Sequence, residues 1–205
     1  PMQYELTEEQ AMIRQLAHDF ARQEIAPLAA QADRDQRFHL PLQQQALELG
    51  LLNIAMPEAY GGMGLGALEV ALVTEQLCRA CLGLGTALCV NALAAEPILL
   101  AGSETQKQQW LPRLAQGEFA SFALTEPGAG SDLAGLATRA VLDGDEWVVT
   151  GQKVWPSAAH YANWGILLAR TDADVPKHRG ITCFLVRMDS PGIDVRPLRQ
   201  IDSRI

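Results

Sequence analysis

At 205 residues the chain is long enough for one large or two modest domains, each with a core of its own. With 48% hydrophobic and 20% charged residues it has a soluble, globular profile rather than a disordered one. A net charge of −8 argues against a nucleic-acid partner, which needs concentrated Lys and Arg, but leaves room for an anionic ligand held by loop amides.

The first third reads as helical. The start, Pro1-Met2-Gln3-Tyr4-Glu5, is neither a basic-plus-apolar leader nor an Arg-rich transit peptide. Thr7-Glu8-Glu9-Gln10 forms a capping box, and Ile13, Leu16, Ala17, Phe20, Ala21 and Ile25 then recur at helical spacing. This helix ends near Pro27, or bends there and carries on toward Asp33. A second helix, Leu42 to Leu49, is closed by Gly50, and the glycine-rich stretch from Pro57 to Gly66 is a loop.

Ala67 to Val90 is almost apolar and therefore a buried helical region, with Gly83-Leu84-Gly85 expected to separate two helices. The second continues to about Ala95, before Pro97. Its Thr86, Cys89, Val90 and Leu93 fall at i, i+3, i+4 and i+7, a spacing that by itself describes a core-facing stripe. The stretch from Leu82 to Leu100 is the longest apolar run, but Asn91, Glu96 and Pro97 interrupt it, so no membrane span is expected. Cys78 and Cys81 have CxxC spacing without a second pair or a nearby histidine. With Cys89 and Cys183 they read as buried, reduced thiols of a cytoplasmic protein, with no metal site.

Ser103 and Gln106 open a further helix, with Trp110, Leu111 and Leu114 buried and Gly117 at its end. From Glu118 the pattern changes to short strands: Phe119 to Glu126, Leu136 to Leu142, an Asp143-Gly144 hairpin turn, Glu146 to Thr150, Trp164 to Thr171, Ile181 to Arg187 and Ile193 to Arg196. Asp172 to His178 is an exposed loop. The fold class is therefore α+β: an N-terminal all-α helical domain, 1–117, followed by a small antiparallel β-barrel or sandwich domain, 118–205.

Two stretches in this second part carry the chemistry. Phe122-Ala123-Leu124-Thr125-Glu126-Pro127-Gly128-Ala129-Gly130-Ser131-Asp132 runs from a strand into a glycine-rich turn, where Gly128 and Gly130 are expected to take positive φ and open the backbone to a ligand. Gly151-Gln152-Lys153-Val154-Trp155-Pro156-Ser157 follows, again a strand and a tight turn, with an aromatic beside a hydroxyl. Two such turns suit a flat heterocycle. Asp132 reads as a cap or turn acid, and Glu126 and Glu58 as solvated carboxylates.

The first stretch resembles the signature of the flavin-dependent acyl-CoA dehydrogenases, and the second resembles that family's tryptophan-containing flavin loop. The resemblance implies FAD as cofactor, bordered by Phe122, Leu124 and Thr125, with Thr125 bonding the pyrimidine edge. It implies Gly130 and Ser131 near the pyrophosphate and the CoA arm, Trp155 against the isoalloxazine and Ser157 toward N5. It further implies an acyl-CoA substrate, a fatty-acyl tunnel lined by Thr86, Cys89, Val90 and Leu93, an electron-transfer flavoprotein or similar acceptor, and a homodimer or homotetramer. The catalytic glutamate of the family lies in a C-terminal helical domain, so none is assigned here and the chain alone is expected to be inactive. Pro156 departs from the family, which has a β-branched aliphatic there; a proline donates no N–H. A monooxygenase or acyl-CoA oxidase of the same fold, and a non-catalytic module that has lost flavin, are the alternatives.

Overall fold

A computed structural model describes residues 5–35, 37–196 and 198, in two compact units, one running to Glu118 and the other spanning Phe119–Leu198. The readings of Pro1–Tyr4 and of the last seven residues lie outside the described residues.

The helical unit opens on α1 (Glu8–Phe20). The Thr7 hydroxyl accepts the Gln10 N–H at 3.2 Å, and the Gln10 side chain accepts the Thr7 N–H at 3.0 Å. At Pro27 the chain takes the second expected course, continuing through a π-helical turn (Ala21–Ile25) into α2 (Ala26–Asp35). Proline cannot donate to the carbonyl four residues back, and the wider turn just upstream accommodates that loss. Helix α3 (Leu40–Glu48) ends as expected on Gly50, whose φ of 70° is the left-handed position of a C-terminal cap; Leu51 N–H closes the cap on Ala46 carbonyl at 2.9 Å.

Helix α4 (Ala67–Ala80) gives way to α5 (Leu82–Cys89) at Cys81, whose φ of −158° and ψ of 116° are extended. The expected break at residues 83–85 is therefore misplaced, and both glycines lie inside α5. The reason for Gly85 is packing: a Cβ there would stand 2.7 Å from Cys78 N and 2.8 Å from Cys78 Cα, so only glycine lets α5 approach the α4 backbone. Helix α6 (Asn91–Ala101) passes through Pro97 rather than stopping before it.

Together Leu82–Ala101 make 20 residues of mean hydropathy 1.6, enough by length and composition to cross a membrane. Leu84, Leu88, Val90, Ala94, Ala95 and Ile98 are nevertheless buried within the protein, as in a core helix. Helix α7 (Glu104–Ala115) carries the expected Ser103 cap and buries Trp110, Leu111 and Leu114. One cluster joins α1, α3, α4 and α5 through Phe20, Ile25, Leu42, Val73, Leu77 and Leu84, each such side chain contributing about 1.5–3 kcal/mol of burial. The four thiols are unpaired, but not the buried set expected: Cys78, Cys81 and Cys89 are half-buried and Cys183 is exposed.

The second unit is a mixed sheet of β1 (Ala120–Ala123), β2 (Arg139–Asp143), β3 (Glu146–Thr150), β4 (Trp164–Arg170) and β5 (Ile181–Arg187). The strand polarity corrects the antiparallel expectation: β1 and β2 both pair parallel with β4, while β2–β3 and β4–β5 are antiparallel. Ile193–Arg196, expected as a strand, is irregular. Strand β5 takes one edge of β4 along its whole length. On the other edge β1 pairs with residues 164–167 and β2 only with Arg170. The segment between β1 and β2 therefore leaves the sheet and rejoins it on the same edge of β4, which makes it a protruding loop.

Candidate functional site

Two loops of the second unit make the site: Leu124–Thr138, between β1 and β2, and Gly151–Asn163, between β3 and β4. Their spacing in sequence does not bring them together; a few specific bonds do. Val154 N–H donates to the Thr125 carbonyl at 2.8 Å, the Ser121 hydroxyl donates to the Ser157 carbonyl at 3.3 Å, and Lys153 Nζ donates to the Leu124 carbonyl at 2.9 Å. Gly151 crosses Thr138 so closely that a Cβ would lie 2.3 Å from its Oγ1, which is why a glycine starts the second loop.

Glu126 is the anchor of the first loop, and it corrects the reading of a solvated carboxylate. Its side chain is 6% exposed; Oε2 accepts the Ala137 N–H at 2.6 Å, and Oε1 accepts the Thr138 N–H at 2.9 Å and Lys153 Nζ at 2.8 Å. Burial pushes its carboxyl up, but the Lys153 ammonium and the two amides outweigh burial and hold it at about 2. The loop is thus tied to its own far end. Arg170 secures the same end, with Nη2 donating to the carbonyls of Ala134 at 2.7 Å and Leu136 at 3.2 Å. At the tip, Asp132 makes an exposed ion pair with Lys177 at 2.8 Å instead of a cap.

Lys153 and Glu126 are the residues that sequence reasoning missed. A signal was available: Lys153 is the only Lys or Arg between Arg139 and Arg170, and it stands within the second motif. An isolated charge at the mouth of an apolar strand invites a search for a counter-charge, and Glu126 occupies the matching place in the first motif.

Phe122, Leu124 and Thr125 are half-buried, Gly130, Ser131 and Ser157 exposed, and Trp155 is 63% exposed despite its size. Gly128 and Gly130 do not take the positive φ expected of them; that conformation falls instead on Trp155 (φ 63°) and Ala158 (φ 58°). A left-handed non-glycine residue costs about 1–3 kcal/mol, and Trp155 also precedes a proline, which disfavours helical backbone. The chain holds a large aromatic, strained and uncovered, beside the junction of the two loops.

A Cβ added at Gly128 or Gly130 would meet no atom within 4 Å, so the protein's own packing leaves open space above this turn. An exposed ring, adjacent hydroxyls and an open glycine turn fit a flat heterocycle with an anionic arm.

The four positions expected to line a tunnel are divided by the helical unit. Val90 is buried, Cys89 is half-buried with Sγ 3.7 Å from the Thr74 hydroxyl, and Thr86 and Leu93 are exposed. Val90, the single residue between α5 and α6, keeps helical backbone angles, φ −61° and ψ −32°.

The chain is 41% identical over 197 residues to the probable acyl-CoA dehydrogenase YngJ of Bacillus subtilis, covering 95% of this chain and 52% of that protein. Butyryl-CoA dehydrogenase of Megasphaera elsdenii superposes with a TM-score of 0.86 at 31% identity, over 93% of this chain and 51% of that one. A glutaryl-CoA dehydrogenase of Mycobacterium smegmatis in complex with FADH2 gives a TM-score of 0.83 at 31% identity, over 91% and 47%. The chain spans about half the length of the curated relatives it matches. Residues 7–118 match the acyl-CoA dehydrogenase N-terminal domain and residues 121–203 the middle domain, so the chain belongs to the acyl-CoA dehydrogenase family.

Proposed function

We propose that this chain supplies the FAD-binding loops of an enzyme that dehydrogenates the α,β bond of an acyl-CoA thioester. The observation that carries the reading is Trp155, exposed and left-handed next to the bonded junction of Thr125 and Val154. Similarity to a protein whose structure holds FADH2 supports the choice of flavin. In this reading Phe122, Leu124 and Thr125 border the ring and Thr125 bonds its pyrimidine edge. Trp155 lies against the isoalloxazine, Ser157 reaches N5, and Gly130 and Ser131 face the pyrophosphate and the CoA arm. When bound, FAD accepts the substrate β-hydrogen as a hydride.

In the helical unit Thr86, Cys89, Val90 and Leu93 are the residues proposed to contact an acyl chain. The proposal extends to an electron-transfer flavoprotein or similar acceptor and to a homodimer or homotetramer.

Glu126 is not proposed as the base. A general base works best with a pKa near the working pH, and a carboxyl that accepts three hydrogen bonds and is held at about 2 has little affinity for a proton. The 205 residues by themselves are therefore expected to bind flavin without turning over substrate.

Titration of the chain with FAD, following quenching of flavin fluorescence by the exposed indole, tests the reading. Saturable quenching that is lost in Trp155→Ala is expected. A chain that refuses FAD would refute the proposal in favour of a non-catalytic module that keeps the fold, and dehydrogenation of an acyl-CoA by these 205 residues would refute the assignment of the base elsewhere.

A further inference from the structure

Lys153 makes two bonds and has almost no contact with solvent. Its side chain is 8% exposed, and the ammonium donates to the Leu124 carbonyl at 2.9 Å and to Glu126 Oε1 at 2.8 Å. In a planar trans peptide the carbonyl and the N–H point in opposite directions, so capture of the Leu124 carbonyl turns the Thr125 N–H away from Lys153. The next peptide is fixed as well, because the Thr125 carbonyl accepts the Val154 N–H at 2.8 Å. Both peptide planes flanking Thr125 are thus set by the second loop, one through a side chain and one through the backbone. Glu126 in turn holds the Lys153 ammonium in place.

We infer that Lys153, braced by Glu126, is a positioning residue for the cofactor: it orients Thr125 as the donor to the pyrimidine edge of the flavin. The inference rests on the FAD reading above. Lys153 acts through Thr125, since both of its bonds are to protein and it is nearly covered.

The test compares Lys153→Met, Lys153→Arg and the double variant Lys153→Met/Glu126→Gln with the unaltered chain. FAD affinity and the position of the long-wavelength absorption band of the bound flavin are measured, and hydrogen exchange of the β4 and β5 amides reports folding. Lys153→Met leaves a buried carboxylate without its cation, and the double variant, lacking both charges, provides a folded case if the single variant unfolds.

The expected result is FAD binding weakened about ten-fold, the worth of one misdirected hydrogen bond, with a displaced flavin band in both Met-containing variants. Lys153→Arg, which keeps a charged donor, is expected to restore the band. Wild-type affinity and an unmoved band in the folded double variant would overturn the inference while leaving the FAD reading intact. Failure of the unaltered chain to bind FAD would overturn both.

Discussion

Replacing Glu126 with glutamine keeps the shape of the side chain and removes its charge, which isolates the electrostatic contribution of the anchor. The carboxyl moves from an ordinary 4.5 to about 2 in the folded chain. At about 1.4 kcal/mol per unit, the ionised form contributes about 3 kcal/mol of stability. The sign follows from the depressed value. Above the unfolded pKa of about 4.5 the contribution is complete, and it is lost as the pH falls through the folded pKa of about 2.

Wild type and Glu126→Gln should accordingly differ by about 3 kcal/mol at pH 7 and converge toward pH 2, where a protonated carboxyl and a carboxamide are near equivalents. Urea unfolding followed by tryptophan fluorescence across this range measures the gap, and Trp164, fully buried in β4, reports on the unit concerned. Hydrogen exchange of the Ala137 and Thr138 amides, which donate to the carboxylate, should accelerate in the variant at neutral pH. A gap that is absent at pH 7, or that persists unchanged below pH 3, would refute the assignment of Glu126 as an ionised anchor.

Trp155→Gly should raise the melting temperature, because glycine relieves about 1 kcal/mol of left-handed strain and little burial is lost, while it weakens FAD binding; a lower melting temperature would count against stored strain. Gly85→Ala forces a Cβ against the backbone of Cys78 and should cost about 1–3 kcal/mol in chemical denaturation, whereas Gly83→Ala, on an exposed face of the same helix, should stabilise by about 1 kcal/mol. Asp132→Asn removes an ion pair whose partners are 68% and 51% exposed, so stability should change by less than about 1 kcal/mol. A larger loss would mean that the tip of the first loop is held more firmly than its exposure allows.

The sequence by itself determined whatever depends on residues a few positions apart. The Thr7 and Ser103 capping boxes, the Gly50 helix stop and the turn at Gly144, with its φ of 62°, form within four residues of the signals that specify them. The change from helix to strand near residue 118 and the two motifs were legible for the same reason: periodicity and turn chemistry are local.

Tertiary structure decided what long-range contacts control. Gly85 resembles a helix breaker until α4 lies against it. Glu126 looks like a surface acid until Lys153, twenty-seven residues away, and the amides of Ala137 and Thr138 close around it. The parallel pairing of β1 and β2 along one edge of β4, which pushes the first loop out of the sheet, is a property of register between distant segments. Gly128 and Gly130 permit a positive φ without requiring one, while Trp155 and Ala158 adopt it at a cost that only their surroundings in the fold can hold in place.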